Sequence, residues 1–199
     1  MVKALIFVVI GYLSGSIPFS YLVGRLVTGK DVRREGSGNV GATNVFRVAG
    51  RRAGIAAAAG DFAKSFLPVL AAGLAGLEPV WVAATGGAVI LGHCYPVWLG
   101  FSGGKGVNSA VAVFLVIFWP ADVVFGIVWL SCFGLTRWVS LASILAAATL
   151  PLTLAVKGVD GSYTLLALLT AIFIAYRHRG NIRRLLDGTE PRIGEREKA

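Results

Sequence analysis

The sequence predicts an all-α fold, a polytopic membrane protein of about seven transmembrane helices. Three observations support this prediction: the 199-residue chain is 56% hydrophobic, only 15% of its residues are charged, and its mean hydropathy is +0.74. A soluble domain of this length carries about 25% charged residues. At this length we expect one membrane-embedded domain, residues 1–199, with a charged mobile tail at about 190–199.

Seven apolar segments are candidates for spanning helices, each of which needs roughly 20 apolar residues. The first is interpreted as a span because more apolar segments follow it and no convincing signal-peptide cleavage site is present. Asp61 and Lys64 interrupt the second, where their spacing allows a pair along one helix face. The fourth and fifth are short and adjacent, which leaves five or six spans possible. The segments are 2–24, 54–77, 80–100, 106–119, 121–136, 138–156 and 162–177.

Basic residues are concentrated on one predicted side of the membrane. They cluster in residues 25–52 and from Arg177 onward, whereas Lys3 and Lys157 are the basic residues on the opposite side. The positive-inside rule makes the rich side cytoplasmic. Seven spans then place the N-terminus outside and the C-terminus in the cytoplasm.

Composition and motifs also argue against several function classes. The basic residues lie between long apolar runs, so we expect no nucleic-acid partner. Cys94 and Cys132 form no CxxC pair, and no set of side chains has metal-ligand spacing, so neither a metal nor a cofactor is expected. Leu99 and Gly106 stand where a Walker A loop needs Gly and Ser or Thr, which disfavours a nucleotide phosphotransferase. The sequence carries no indication of oligomeric state.

The first candidate site is a Gly-rich stretch that follows the basic run, residues 36–47. Its glycines permit a turn whose bare N–H groups form an anion nest, and its polar side chains add donors. Arg47 adds a guanidinium suited to phosphate. The alternative is an ordinary Gly-rich loop with capping residues. The other candidate residues are Gly36, Ser37, Gly38, Asn39, Thr43 and Asn44.

The second candidate site is the turn Gly103-Gly104-Lys105-Gly106, which opens the next apolar segment. Backbone amides and the helix dipole at this point would attract an anion. Lys105 would add a positive charge. The alternative is that its side chain only extends to the membrane interface, where the ammonium group is hydrated. His93, in an apolar context, is expected to be structural.

The third candidate site comprises His178 and Asn181, in a basic run after the last segment. Because they are three residues apart, they share one face if the helix continues. The alternative is a basic flank that binds anionic membrane lipid. Ser140 and Ser143 begin the sixth segment, where hydroxyls usually cap or back-bond a helix.

Taken in order along almost the whole chain, these motifs resemble those of the bacterial acyl-phosphate:glycerol-3-phosphate acyltransferases. Asp61 and Lys64 fit an Asp-x-x-Lys pair of that family, and Asn108-Ser109 departs from its usual Ala-Thr or Ala-Ser. The resemblance implies seven helices in the bacterial cytoplasmic membrane and an active site that faces the cytoplasm. It also implies the principal catalytic residues Ser37, Arg47, Lys105, Ser143, His178 and Asn181.

The resemblance further implies transfer of a fatty acyl group from acyl phosphate to the primary hydroxyl of glycerol 3-phosphate. The products would be lysophosphatidic acid and phosphate, in an early step of phospholipid biosynthesis. The 103–106 loop, Ser37 and Ser143 would hold the acyl-phosphate head, while His178 and Asn181 would orient glycerol 3-phosphate. A phosphoryl oxygen or His178 would accept the hydroxyl proton.

Two other functions are alternatives. Glycine-interrupted helices and charges inside spans also mark transporters of anionic solutes. The polar motifs of this chain cluster at one membrane face rather than at the midplane, which disfavours transport. A lipid enzyme that takes its acyl group from acyl-CoA or an acyl carrier protein is the other alternative.

Overall fold

The described part of the computed structural model, residues 1–194, consists of eight α-helices and two 3-10 helices, without a β-strand. The prediction of an all-α fold is therefore confirmed. The 3-10 helices are Val32–Arg34 and Val97–Leu99. The α-helices are α1 (Val2–Ser16), α2 (Phe19–Thr28), α3 (Ala42–Leu74), α4 (Pro79–Cys94), α5 (Val107–Thr136), α6 (Val139–Val156), α7 (Gly161–Arg177) and α8 (Arg179–Leu186).

Five helical stretches of the described chain are long and apolar enough to cross a membrane. They are α1 with α2, then α3, α4 with the following 3-10 helix, α5, and α6, while α7 is a shorter apolar helix. Large apolar side chains such as Leu5, Leu67, Ile127 and Leu152 are exposed along them. Exposed apolar surface of this extent is characteristic of lipid-facing helices. The count of seven spans and the orientation stay predictions.

Three local departures from helical geometry change the predicted segments. Segment 2–24 is two helices, because Ile17 adopts an extended conformation before Pro18. Within α3, Gly50 has φ 84° and ψ 177°, so the helix is interrupted between the first motif and the apolar part. The two segments predicted on either side of Pro120 share α5, which departs from helical geometry at Phe118. Pro120 cannot donate a helical hydrogen bond, and its ring crowds the preceding turn.

The chain divides into two compact units, Met1–Val116 and one that begins at Ile117. In the first unit, α1 packs against α4 and α3, and α2 packs against α3. A Cβ on Gly92 would overlap the main chain of α1 at Tyr12, so α1 and α4 approach at backbone distance. Small residues allow such contacts between helices in lipid. In the second unit, α6 packs against α7, and α8 contacts both.

Candidate active site

The first motif folds as a short loop that leads directly into α3. Gly36 and Gly38 have φ of +56° and +68°, values that residues with a Cβ rarely adopt. Buried Asn44 holds the loop, since its Oδ1 accepts from the Ser37 amide at 2.9 Å. Its Nδ2 donates to the carbonyls of Val32 and Glu35 at 2.9 and 3.1 Å. With both ends of its amide engaged, Asn44 shapes the loop from within.

Polar side chains of this motif are exposed around the start of α3. Ser37, Thr43 and Arg47 are exposed, and Asn39 is half-buried. The second predicted helix began at residue 54, but the structure starts α3 at Ala42, so that Thr43, Asn44 and Arg47 lie in its first turns. The reason is that the amides of Asn44 and Val45 both donate to the Gly41 carbonyl, which starts the helix. Arg47 is therefore carried on a helical turn.

Arg33, in the neighbouring basic segment, already pairs with an acidic residue. Arg33 makes a bidentate pair with Asp31, with nitrogen–oxygen distances of 2.6 to 3.1 Å. The hydrogen bonds from the Arg33 side chain and backbone lower the pKa of Asp31 to about 2. Arg33 thus neutralises a carboxylate of its own segment, which makes it a weaker candidate for substrate phosphate than Arg47.

The second motif returns its backbone onto the end of α4. The Gly103 amide donates to the Cys94 carbonyl at 3.1 Å, and the Gly104 amide donates to the His93 carbonyl at 3.2 Å. The amides of this loop were expected to bind an anion, but these two already have main-chain acceptors. The first-turn amides of α5, from Val107, have no acceptor within the helix. The anion-binding potential of this motif therefore lies at the start of α5.

Gly104 lies where the two motifs of the first unit meet. A Cβ at this position would overlap the His93 Nε2 atom and would lie 2.7 Å from the Val40 carbonyl oxygen. Gly104 is buried and Lys105 is half-buried. The loop is therefore tightly packed at Gly104, immediately before the charged side chain of Lys105. The structure thus brings together the Ser37 loop and the Lys105 loop, which are far apart in sequence.

The start of α5 is attached to α3 by two side chains. The Asn108 Nδ2 atom donates to the Ala58 carbonyl at 2.8 Å, and the hydroxyls of Ser109 and Ser65 are 2.9 Å apart. The departure from the family motif noted at Asn108-Ser109 therefore contributes contacts to the interior of this chain. These contacts fix the helix end that follows Lys105.

A buried polar cluster lies beneath the second motif, around Asp61. The Ser20 hydroxyl donates to Asp61 Oδ2 at 2.5 Å, and Lys64 Nζ lies 2.8 Å from Asp61 Oδ1. Lys64 Nζ also donates to the Ile17 carbonyl at 2.6 Å, where Pro18 prevents continuation of helix α1. The predicted pairing of Asp61 with Lys64 along α3 is confirmed.

In the second unit, His178 forms the junction between α7 and α8. It is buried, and its Nδ1 atom lies 2.8 Å from the Ile174 carbonyl. Because a carbonyl only accepts, Nδ1 carries a hydrogen and donates it to this carbonyl. Helix α8 starts immediately afterwards, with the Ile182 amide donating to the His178 carbonyl at 2.8 Å.

Asn181 belongs to a polar cluster centred on Glu190, a residue that sequence analysis assigned to the mobile tail. Glu190 Oε1 accepts from Asn181 Nδ2 at 2.7 Å and from the Ser140 hydroxyl at 2.6 Å, while Arg184 Nε lies 2.8 Å from Oε2. The Glu190 carbonyl also accepts from the Trp138 indole at 3.1 Å. Of the predicted tail, residues 195–199 lie outside the described residues. No sequence signal marks Glu190, because two of its partners, Ser140 and Trp138, are about fifty residues away in the chain.

Glu190 accepts hydrogen bonds as an ionised carboxylate and does not act as a base. Burial raises the pKa of its carboxyl, but hydrogen bonds from Ser140, Asn181 and Arg184 together outweigh burial and lower it. A carboxylate with a lowered pKa holds protons weakly, which suits a structural anchor better than a general base.

Ser143 is buried in α6 and engaged on both sides. Its hydroxyl donates to the Val139 carbonyl at 2.7 Å and accepts from the Trp129 indole at 3.2 Å. Back-bonding of this kind was the alternative considered for serines at the start of the sixth segment. Trp129 also stacks on Phe133, with ring centroids 5.0 Å apart. The hydroxyl orientation is thus set by its neighbours within the second unit.

Replacing Glu190 with glutamine is expected to lower the stability of the protein at neutral pH and to make this stability less dependent on pH. Because the folded-state pKa of Glu190 is lowered, its stabilisation is present above the ordinary pKa. It is lost as the pH falls through the lowered value. Thermal unfolding of both proteins in detergent, from neutral to acid pH, would measure this. The difference between them should shrink toward acid pH.

The matched control for that prediction is Asp187→Asn, which removes an exposed carboxylate of the same segment. Asp187 Oδ2 lies 4.0 Å from Arg183 Nε, and both side chains are exposed. Exposed pairs contribute about 0–1 kcal/mol, so this variant should unfold like the unmodified protein. An equal and pH-independent loss in both variants would contradict the assignment.

Comparison with known proteins decides the family. Residues 5–188 match the family described as glycerol-3-phosphate acyltransferase. The chain belongs to this family. A glycerol-3-phosphate acyltransferase of Gloeobacter violaceus is 47% identical over 188 residues, covering 92% of each chain. One of Geobacter sulfurreducens is 44% identical over 194 residues, covering 97% of this chain and 99% of its own.

Two solved structures agree with this membership. They are crystal structures of PlsY (YgiH), an integral membrane glycerol 3-phosphate acyltransferase, in its glycerol 3-phosphate form and its lysophosphatidic acid form. The TM-scores are 0.93 and 0.90, at 43% and 41% identity, with 96% of each chain covered. This acyltransferase chain is therefore a multi-pass membrane protein, and the resemblance that its motifs indicated is confirmed.

Proposed function

We propose that this acyltransferase transfers a fatty acyl group from acyl phosphate to the primary hydroxyl of glycerol 3-phosphate. The products are 1-acylglycerol 3-phosphate and inorganic phosphate. The observation that carries the proposal is the contact of the two glycine-rich motifs at Gly104 and Val40. It groups an exposed arginine, Arg47, and a lysine, Lys105, with the start of α5 in one compact unit. Such a grouping suits phosphate.

Roles for the remaining site residues follow from their chemistry. We assign the loop of Gly103, Gly104 and Gly106, with Ser37 and Ser143, to the acyl-phosphate head. Gly103 and Gly104 shape this loop, because their amides donate to the end of α4, and the amides at the start of α5 provide the donors to the phosphate. Arg47 and Lys105 neutralise phosphate charge, while His178 and Asn181 orient glycerol 3-phosphate. Gly36, Gly38, Asn39, Thr43 and Asn44 complete the first motif as substrate-binding or loop-shaping residues.

The reaction is a direct transfer. The primary hydroxyl oxygen of glycerol 3-phosphate attacks the acyl carbon, the bond from that carbon to the phosphate oxygen breaks, and phosphate leaves. A phosphoryl oxygen of the donor takes the hydroxyl proton, so that the leaving phosphate carries it away. Glu190 is a poor base, because the hydrogen bonds that it accepts lower the pKa of its carboxyl. Positioning and electrostatic stabilisation then supply most of the acceleration.

His178 competes with the phosphoryl oxygen for the role of base. Because Nδ1 donates to the Ile174 carbonyl, Nε2 would have to be the nitrogen that accepts the proton. Loss of turnover in His178→Ala with binding of both substrates intact would exclude the phosphoryl oxygen as the base. Retained turnover at a reduced level would support it, with His178 orienting the acceptor.

A phosphate-release assay on purified protein in a lipid phase tests the reaction. Palmitoyl phosphate is supplied with and without glycerol 3-phosphate, and palmitoyl-CoA is supplied as a parallel donor. The expected result is phosphate release that requires glycerol 3-phosphate, with lysophosphatidic acid as co-product. Product from palmitoyl-CoA alone would overturn the donor. Inactivity of the folded protein with both donors would overturn the proposal and favour an anion transporter.

Removing either proposed anion-binding cation is expected to lower turnover strongly. Arg47→Ala and Lys105→Ala should each reduce kcat/KM by about 10²-fold, as expected when a charge-stabilising donor is lost. Arg52→Ala is the control, because Arg52 is exposed in the same helix but follows the Gly50 break. Full turnover in either site variant would contradict the anion-site assignment.

We further propose that the enzyme lies in the bacterial cytoplasmic membrane with seven spans and its active site toward the cytoplasm. The support is the charge bias: the basic motifs 25–52 and 177–192 share one predicted side. Cysteines introduced at Thr43 and at Lys157 would test this in intact cells. A membrane-impermeant thiol reagent should label position 157 and leave position 43 unlabelled, and the reverse pattern would overturn the orientation.

A further inference from the structure

We propose that His93 is a positioning residue for the acyl transfer. Its imidazole packs between buried Asp61 and Gly104, and in this way sets the position of the Gly103–Gly106 loop. The inference rests on the proposed role of that loop in binding a substrate phosphate.

The His93 imidazole is in direct contact with the loop. A Cβ on Gly104 would overlap the His93 Nε2 and Cε1 atoms, so the glycine backbone rests directly on the ring. The Gly104 amide also donates to the His93 carbonyl at 3.2 Å. One residue thus holds the loop through its main chain and its side chain, immediately before Lys105.

The Nδ1 side of the imidazole packs near Asp61. His93 Nδ1 lies 3.8 Å from Asp61 Oδ1, which is also the oxygen 2.8 Å from Lys64 Nζ. The Ser20 hydroxyl donates to the other oxygen of Asp61 at 2.5 Å. The side chains of Asp61 and Lys64 are each 2% exposed, and that of His93 is 7% exposed. The ring therefore rests on a carboxylate fixed from two sides.

Burying this polar cluster costs free energy. An ion pair removed from water carries a desolvation penalty, and apolar residues of similar volume often replace one without loss of stability. Packing alone therefore does not explain Asp61, Lys64 and His93. What the polar cluster adds is a fixed geometry, because it connects α2, α3 and α4 to the loop. A phosphate site needs such support, since small displacements of its donors reduce binding and rate.

The experiment compares KM and kcat in His93→Leu, which keeps side-chain bulk but loses the contact to Asp61. Purified protein in lipid vesicles is assayed with palmitoyl phosphate and glycerol 3-phosphate, each varied in turn. The expected result is a rise of about tenfold in the KM of the substrate whose phosphate meets the loop. The kcat per folded enzyme should change by less than about threefold.

Three variants keep the test specific to positioning. Val89→Ala removes buried bulk from the same helix, on the face that contacts Gly11 and Gly15 of α1. It should lower the unfolding temperature and leave both KM values unchanged. His93→Gln retains a nitrogen near Gly104 and should show a smaller rise in KM than His93→Leu. Ser20→Ala removes one donor from Asp61 and should raise the same KM by about two- to threefold.

The outcomes separate positioning from simple stabilisation. Unchanged KM values in His93→Leu and Ser20→Ala, or a fall in activity proportional to the folded fraction alone, would overturn the inference. If His93→Leu does not fold, the KM of Ser20→Ala decides in the same way. Inactivity of the unmodified protein would overturn the proposed function and this inference with it. If the unmodified protein is active, an unchanged KM in the variants overturns only the inference about His93.

Discussion

Gly104→Ala is expected to remove most of the acyltransferase activity. The added Cβ would overlap the His93 ring and would lie 2.7 Å from the Val40 carbonyl oxygen. One neighbour is a ring held by buried partners and the other is backbone, so the loop itself must move. Because donors displaced by about 1 Å can cost about 10²-fold in rate, we expect a loss of that order in kcat/KM. The phosphate-release assay measures it.

Gly73→Ala is the matched control for this prediction. Gly73 lies in α3, has helical geometry, and has no neighbouring atom within 4 Å of an added Cβ. This variant should keep the activity of the unmodified protein, and alanine should favour the helix by about 0.5–1 kcal/mol. Equal activity of Gly104→Ala and Gly73→Ala would show that the loop does not depend on its contact with His93 and Val40.

Asp61→Ala is expected to cause the largest loss of stability. It would leave the Lys64 ammonium, which is 2% exposed, without the carboxylate oxygen that lies 2.8 Å away. Breaking a buried pair by removing one partner costs about 3–5 kcal/mol, because an uncompensated charge remains. Thermal unfolding in detergent should show this as a large decrease in unfolding temperature. The double variant Asp61→Leu/Lys64→Met should recover a substantial part of it.

Glu35→Gln provides the comparison for an exposed ion pair. Lys30 Nζ lies 3.3 Å from Glu35 Oε1, but the two side chains are 67% and 41% exposed. An exposed pair of this kind contributes at most about 1 kcal/mol, so the unfolding temperature should hardly change. If Asp61→Ala were as mild as Glu35→Gln, the buried Lys64 side chain would not depend on Asp61 as its partner.

The main elements could be predicted from the sequence because lipid restricts what a chain can do. Backbone groups inside a bilayer must be satisfied within helices, so apolar length alone predicted α6 and α7 to within one residue of 138–156 and 162–177. The pairing of Asp61 with Lys64 was predictable because it depends only on their spacing within one helix. The motifs themselves indicated the family that the comparisons confirm.

Contacts that lie outside a single helix could not be predicted in this way. Glu190 was assigned to a mobile tail, yet its carboxylate accepts from Ser140 and Asn181. The Gly103 and Gly104 amides were assigned to an anion, yet they donate to carbonyls at the end of α4. Glu190 meets Ser140 through the packing of α8 against α6, and the Gly103–Gly106 loop folds back onto the end of the helix before it. Local composition indicates neither arrangement.

The sequence by itself therefore determined the helical membrane fold, the positions of the three motifs and their chemical character, since these depend on local composition and spacing. Only the tertiary structure decided that Gly104 lies between His93 and Val40, that Asn44 holds the first loop from within, and that the start of α5 is fixed to α3. The physical reason is that the contacts of Gly104 with Val40 and of Asn108 with α3 depend on how whole helices pack, while the bonds of Asn44 depend on how the loop before α3 folds back on itself.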